Sequence, residues 1–143
     1  MTSNKRLVLD ANILIRAVLG NKVRSNIIEF ANKVEFFAPE PCFVDARRYL
    51  PQLLTKRNIE IEPALIILDY IESSLVTPLA ENSYSHYADI AKARLRHRDI
   101  NDWPILAAAL ALNCPIWTED MDFFGTGVAT WTSDKVIFYL DET

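Results

Sequence analysis

The sequence is poor in cysteine and contains no long hydrophobic run. Its two cysteines, Cys42 and Cys114, lack the spacing of metal ligands, so we expect reduced thiols and a cytoplasmic protein. The basic start of the chain leads into an apolar segment that Asp10, Asn12 and Arg16 interrupt, so we expect neither a signal peptide nor a membrane span. The net charge of −4 argues against a passive nucleic-acid coat, which would be basic overall.

The sequence does contain enough apolar residues for a hydrophobic core. Of its 143 residues, 50% are hydrophobic. No Gly/Ser-rich tract, Pro-rich tract, internal repeat or low-complexity segment divides them. We therefore predict a single domain over residues 1–143.

Short apolar runs alternate with segments of helical periodicity. The predicted strands are Arg6–Leu9, Val34–Ala38, Pro115–Trp117 and Val128–Trp131, and Val76–Pro78 is predicted to be extended. The predicted helices are Ala11–Leu19, Val23–Lys33, Cys42–Thr55, Ile61–Leu75, Tyr84–Arg98 and Pro104–Leu112, with a helical turn from Ser133. This alternation predicts an α/β fold with a mostly parallel sheet and helices on both of its faces.

Four aspartates are predicted to reach one edge of this sheet. Asp10 ends the first strand and Asp120 follows a later one, so both lie at the carboxyl edge, where parallel sheets form their sites. Asp102 precedes the helix that Pro104 opens, and Asp45 lies near the start of the helix after the second strand. Each alone is compatible with a helix cap or a turn. Their convergence indicates a functional site.

Carboxylates packed this closely repel one another unless a cation neutralises them. A site of carboxylate oxygens without cysteine or histidine suits Mg²⁺ or Mn²⁺ rather than zinc. Such a metal activates water and stabilises negative charge on a phosphodiester. The aspartates therefore predict the hydrolysis of a phosphate ester with one or two Mg²⁺ or Mn²⁺ ions.

Three blocks of the sequence resemble the PIN-domain nucleases. They are LVLDANILI (Leu7–Ile15), RDINDWPILAAALAL (Arg98–Leu112) and PIWTEDMDFFG (Pro115–Gly125). The resemblance covers nearly the whole chain and extends to the small single-domain VapC-type toxins. It implies a PIN-like three-layer fold, with a small, mostly parallel sheet flanked by helices, and a metal-dependent endoribonuclease that hydrolyses RNA.

The same resemblance implies roles for individual residues. Asp10, Asp102 and Asp120 match the family's metal-holding acids. Asp45 completes the catalytic acids at a position where the family usually has glutamate, a side chain one methylene longer. Positions that support these ligands in the family are matched by Asn12, Thr118 and Asp122.

A basic run, consisting of Lys92, Arg94, Arg96 and Arg98, leads into Asp102. Cations are favourable at a helix C-terminus, which gives the basic run a purely structural interpretation. Its position beside the predicted site suits RNA-phosphate contacts equally well. Both interpretations stay open.

The resemblance also implies protein partners, since small PIN-like proteins often form homodimers and are often held inactive by an antitoxin. The helix predicted over Ile61–Leu75 carries more apolar residues than one core-facing stripe needs. Such a surface suits a homodimer or an antitoxin contact.

Two other functions stay open. A phosphatase of the haloacid-dehalogenase type also uses a strand-terminal aspartate, but usually with a second aspartate two residues later, where this chain has Asn12. A non-catalytic PIN-like binding module is the other alternative, and Asp45 in place of glutamate is the feature that favours it. Metal-dependent cleavage of RNA would separate the nuclease from both.

Overall fold

Five short strands alternate with helices over residues 5–141, the part of the chain that the computed structural model describes. The strands are β1 (Lys5–Leu9), β2 (Val34–Pro39), β3 (Val76–Leu79), β4 (Ile116–Trp117) and β5 (Thr130–Trp131). The helices are α1 (Ala11–Leu19), α2 (Asn21–Glu29), α3 (Glu40–Lys56), α4 (Glu62–Ser74), α5 (Ala88–Arg94), α6 (Trp103–Leu112) and α7 (Val136–Leu140). Single 3₁₀ turns lie at Glu81–Ser83, Ser85–Tyr87, Ile100–Asp102 and Met121–Phe123.

The strands form one parallel sheet in the order β3-β2-β1-β4-β5. Val8 and Leu9 of β1 lie opposite Ile116 and Trp117 of β4, and β1 pairs with β2 on its other side. The order of the strands therefore reverses between β1 and β4. Open parallel sheets bind ligands at such a switch point, just beyond the carboxyl ends of the strands. Asp10 and the loop after Trp117 lie at this point.

Helices cover the sheet on both faces, as the alternating sequence pattern predicts. The helices α1, α3 and α4 pack against one another, while α6 packs against β1, β2 and β4. Leu7–Leu9 are fully buried, and so is nearly all of Ile105–Ala109 in α6. A short helix that is apolar on all sides suits this interior position. None of the helices over the described residues has the length and hydropathy needed to span a membrane.

The predicted α/β class, the parallel sheet and the flanking helices are confirmed. The helix predicted over Tyr84–Arg98 is wrong at both ends, because two 3₁₀ turns precede α5 and the helix ends at Arg94. Tyr84 is fully buried with its ring 5.7 Å from that of Trp103. Its backbone, at φ −135° and ψ −3°, leaves the helical conformation. Tertiary packing of one aromatic side chain has therefore overridden the local periodicity.

Two other predicted elements also differ from the structure in their boundaries. The helix predicted over Val23–Lys33 begins earlier, at Asn21, and ends at Glu29. Phe30 is buried and its backbone leaves the helix there, which lets the chain turn towards β2. The strand predicted over Val128–Trp131 forms only its last two residues, as β5.

Candidate active site

Asp10 is a buried carboxylate at the junction of β1 and α1. Its side chain is only 6% exposed, and one of its oxygens accepts a hydrogen bond from the backbone N–H of Ile13, at 3.0 Å. This is the N-cap contact that begins α1. Its other oxygen accepts the hydroxyl hydrogen of Thr118. Burial raises the pKa of Asp10, and these two hydrogen bonds partly oppose the shift.

A chain of hydrogen bonds continues from Asp10 into the loop after β4. While the Thr118 hydroxyl donates to Asp10, its oxygen accepts the backbone N–H of Asp120 at 2.9 Å. The Asp120 carboxylate in turn accepts the backbone N–H of Asp122 at 2.9 Å, which caps the 3₁₀ turn Met121–Phe123. Thr118 is fully buried, so its bond to Asp10 is shielded from water, whereas the bond between Asp120 and Asp122 is exposed. It fixes the positions of Asp120 and Asp122 relative to the end of β1.

Asp102 lies at the end of a 3₁₀ turn that leads into α6. The carboxylate of Asp99 caps that turn by accepting the N–H of Asn101 at 3.0 Å, and Pro104 lies in the first turn of α6. The Asp102 side chain is half-buried. Burial, together with the negative charges of neighbouring aspartates, raises the pKa of Asp102 to about 7.

Carboxylate oxygens of Asp102, Asp120 and Asp122 lie within 4.8 Å of one another. Three oxygens at this separation, one of them on a carboxyl group with a raised pKa, form a donor set that fits a divalent cation. A narrow cleft of about 170 Å³, here called the acidic cavity, lies beside them. Its polar lining is contributed by Asp10, Asn12, Asp45, Asn101, Asp102 and Asp120.

The sequence model of the PIN domain family matches residues 8–141, which is almost the whole chain. The chain belongs to the PIN domain family. The members of this family are generally nucleases, and the acidic cluster fits the metal site of such a protein. Among curated proteins, none matches the sequence.

Solved structures of low sequence identity share the fold of this PIN domain. PAE2754 from Pyrobaculum aerophilum superposes with a TM-score of 0.73 at 14% identity, over 97% of this chain and 91% of that one. VapBC2 from Rickettsia felis, bound to a DNA fragment from their promoter, gives 0.69 at 15% identity, over 89% and 98%. FitAcB from Neisseria gonorrhoeae gives 0.58 at 20% identity, over 89% and 97%.

The predicted acids of this PIN domain line one cavity, but the contacts of their carboxylates differ. Asp10, Asp45, Asp102 and Asp120 line the acidic cavity, and Asp45 also pairs with Arg48 of its own helix, at 2.9 Å. Asp122, for which the sequence suggested a supporting role, has a carboxylate oxygen within 4.8 Å of those of Asp102 and Asp120. Both carboxylate oxygens of Asp10 instead accept hydrogen bonds from within the protein.

Two arginines of the basic run have specific structural partners. Arg94 donates to the backbone carbonyl of Thr126 at 2.8 Å, and Arg98 donates to those of Asp122 and Phe124. Lys92 lies over the ring of Trp103, 5.0 Å from its centroid. The contacts of the two arginines hold the segment Met121–Gly127, here called the 121–127 loop. RNA contact by the basic run stays a prediction, and the anchoring arginines have a second role that the sequence analysis missed.

One signal for this anchoring is present in the sequence, in the two closely spaced glycines of the 121–127 loop. Gly127 has φ +89°, and a Cβ there would lie 2.9 Å from Nη1 of Arg94.

Cys42 is another residue that the sequence analysis did not include in the site. It lines the acidic cavity one helical turn before Asp45, and burial together with the nearby acids raises the pKa of its thiol far above the usual range.

Replacing Asp102 by asparagine should raise the melting temperature of the metal-free protein above neutral pH. The folded chain keeps the Asp102 carboxyl protonated up to about pH 7, whereas the unfolded chain releases that proton near 3.8. The contribution of Asp102 to stability is therefore fully present below its pKa in the unfolded chain. It is lost as the pH rises through its pKa in the folded chain. Asparagine keeps the shape without the charge. Melting curves in chelator, from about pH 3 to pH 8, measure the effect.

The matched control is Asp141→Asn, which removes an exposed carboxylate outside the acidic cavity. It should leave the melting temperature unchanged at both ends of the pH range. The two curves for Asp102→Asn and wild type should converge at the acid end, where both side chains are neutral. A lower melting temperature for Asp102→Asn at pH 8 would instead assign Asp102 a stabilising role in the apo protein.

Arg98→Ala should loosen the 121–127 loop. The guanidinium of Arg98 satisfies two of its backbone carbonyls, so its removal exposes them and breaks the link to the end of α5. Hydrogen–deuterium exchange over residues 121–127 should become faster. Arg96→Ala is the control, because Arg96 is exposed two residues away in the same basic run. Equal exchange rates in the two variants would contradict an anchoring role.

Proposed function

We propose that this PIN domain is an endoribonuclease that hydrolyses RNA phosphodiester bonds with Mg²⁺ or Mn²⁺. The observation that carries the proposal is the convergence of the carboxylates of Asp102, Asp120 and Asp122 beside a cleft that Asp10 and Asp45 also line. Clustered acids of this kind are unfavourable in a folded chain unless a cation offsets their repulsion. Membership of a family composed generally of nucleases agrees with this assignment.

The donor set favours Mg²⁺ or Mn²⁺, because carboxylate oxygens are the ligands that these hard cations prefer. Asp102, Asp120 and Asp122 would hold the ion on the geometry described above, and Asp10 would add its negative charge from the lining of the same cavity. The thiol of Cys42 is buried and its pKa is raised, so it does not offer the thiolate that zinc prefers. When bound, the metal would activate a water molecule and stabilise charge on the phosphate.

The protein's own residues would place the substrate and the water. Asp45 and Asn12 line the acidic cavity on the side of α3 and α1, where each offers an oxygen that can accept a hydrogen bond from the attacking water. Thr118 holds Asp10 and the loop that carries Asp120 in register, so the donor set is formed before the substrate binds. Its role is to position the acids.

The proposed substrate is single-stranded or loop RNA. The narrow acidic cavity suits a flexible strand that bends its phosphate inward better than it suits a rigid duplex. Its aspartates would read no base edges, so selectivity has to come from the backbone and flanking contacts. Lys92 and Arg96 of the basic run are exposed and are the candidates for those phosphate contacts.

The phosphatase alternative is disfavoured by the environment of Asp10. A haloacid-dehalogenase-type nucleophile needs a free carboxylate oxygen pointing at the substrate. Here the Asp10 side chain is only 6% exposed, and both of its oxygens accept hydrogen bonds from the protein. The non-catalytic alternative is disfavoured by the complete set of clustered acids, although Asp45 leaves it testable.

Purified protein should cleave unstructured RNA with Mg²⁺ or Mn²⁺, and chelator should abolish the reaction. Asp102→Asn and Asp120→Asn should each lower the single-turnover rate by at least about a hundredfold, because each removes a charged ligand from the cluster. Asp141→Asn should cleave at the wild-type rate. The measurement is gel analysis of end-labelled RNA, with duplex DNA alongside.

Two results would contradict the ribonuclease. Hydrolysis of a small phosphomonoester with the RNA left intact would favour the phosphatase. Binding of RNA without cleavage in either metal would favour the non-catalytic module. Retained activity in Asp120→Asn would be compatible with RNA cleavage by this protein, but it would contradict the assignment of Asp120 as a metal ligand.

A homodimer and an antitoxin partner belong to the same proposal, and both find support in α4. Leu68 and Ile71 are buried in the core, whereas Ile66 and Tyr70, one helical turn apart, are 65% and 49% exposed. Two large apolar side chains on one exposed helix face suit a protein contact. The name of the structural neighbour VapBC2 denotes a complex of two proteins, which supports a protein partner for this chain.

We expect light scattering to give the mass of a dimer, and we expect Ile66→Glu to convert it to a monomer because the charge would be buried at the interface. Ile28→Glu is the control, since Ile28 is a comparably exposed isoleucine, at 49%, but lies on α2. A monomeric wild-type protein at high concentration would contradict the homodimer and leave the antitoxin as the only protein partner proposed.

A further inference from the structure

A second and larger cavity, of about 550 Å³, is lined by residues from both sides of the β1–β4 switch point. Its volume lies within the range of small-ligand sites, roughly 300–1,000 Å³. Three of the residues that line it are cations from different elements, Arg16 of α1, Lys22 of α2 and Arg57 after α3. Leu19 and Val23 add apolar surface between them. This space is called here the cation-lined cavity.

The cation-lined cavity adjoins the acidic cavity along two elements. Asn12 lines the acidic cavity and Arg16 lines the other, and these exposed side chains lie one helical turn apart on the same face of α1. In the loop after β4, Asp120 lines the acidic cavity and its neighbour Glu119 lines the cation-lined cavity. A strand that leaves the acidic cavity past Asn12 would therefore meet Arg16 one helical turn further along α1.

Within residues 5–141, the two arginines of this cavity differ from most other arginines of the fold in having no hydrogen-bond or ion-pair partner. Arg47 pairs with Asp69 and Glu72, and Arg24 donates to the carbonyls at the end of α1. The side chains of Arg16 and Arg57 make no hydrogen bond within the described part of the chain and have no carboxylate within 4.0 Å, whereas the charge of Lys22 interacts with that of Asp134. The donors of the two arginines are therefore available to an anionic ligand.

The two acids that line the same cavity accept hydrogen bonds from the loop after β5. Glu119 accepts the backbone N–H of Ser133 at 2.6 Å, and Asp134 accepts the hydroxyl of Thr132. Both belong to loops after β4 and β5, whereas the cations come from the elements α1 to α3. With three cations against two acids, the cavity has a net positive charge inside a chain whose overall charge is −4.

We propose that the cation-lined cavity binds the RNA strand on one side of the cleavage site, with Arg16 and Arg57 contacting its phosphates. The proposal rests on the ribonuclease function and adds a binding site to it. The strand would run from the acidic cavity along α1, with a base or ribose against Leu19 and Val23 and Lys22 adding charge. Guanidinium groups suit this role because they bind phosphate through two parallel N–H donors.

The test measures binding separately from cleavage. The full chain carrying Asp102→Asn is mixed, in chelator, with a fluorescent oligouridylate of about twelve nucleotides, a length typical of single-strand binding sites. Fluorescence anisotropy gives the affinity across a range of salt concentrations. Adding Arg16→Ala and Arg57→Ala together should reduce the slope of log K against log salt by about 1.4, or about 0.7 for each lost phosphate contact.

Two further variants serve as controls. Lys56→Ala removes an exposed cation next to Arg57 that does not line the cavity, and it should keep the parental slope. Arg16→Lys with Arg57→Lys keeps the charge and should also keep most of the slope, while losing affinity because lysine lacks the paired donors. Circular dichroism checks the fold of every variant.

The outcomes separate this proposal from the ribonuclease itself. Suppose that the protein with Asp102 intact cleaves RNA, but the double alanine variant has the same slope of log K against log salt as Lys56→Ala. The proposed binding site is then wrong, and the ribonuclease function is unaffected. If no RNA is cleaved but the slope still falls, the binding site stands and the ribonuclease fails. A free nucleotide or inorganic phosphate that competes fully at equal phosphate concentration would overturn the extended-strand site in favour of a small-anion site.

Discussion

The hydrogen bond from Thr118 to Asp10 is the contact on which the arrangement of the site depends. It joins the end of β1 to the end of β4, the two strands between which the sheet order reverses. The same Asp10 side chain caps α1, and the same Thr118 oxygen receives the N–H of Asp120. One buried polar pair therefore sets the start of a helix, the path of the loop after β4 and the spacing of the acids.

This arrangement has an energetic cost that follows from the topology. A parallel sheet with this strand order brings Asp10, Asp102 and Asp120 to one edge, where burial and mutual repulsion raise the pKa of the first two. Hydrogen bonds offset part of the cost at Asp10 only. A cation that bound the folded chain alone would relieve the remaining repulsion and stabilise the fold, so metal binding and folding stability are expected to be coupled.

The sequence was sufficient to predict the features that depend on local pattern and topology. Asp10 is the residue that ends an apolar run, and Asp102 precedes a proline that can only open a helix. The packing of Tyr84 against Trp103 and the binding of loop carbonyls by Arg98 could not be predicted, because both join segments separated in the sequence by turns of undetermined direction. The closeness of Asp122 to Asp102 follows from the same anchored loop.

The distribution of arginines explains how an acidic chain can present a cationic path to a polyanion. Arg94 and Arg98 are held by backbone carbonyls and shape the 121–127 loop, so their charges lie close to the acids they help to place. Arg16 and Arg57 have no such partners and lie beyond the acids, beside α1. Since exposed charges farther apart than about 8–10 Å are largely screened at physiological salt, a local group of unpaired cations attracts phosphate even when the net charge is negative.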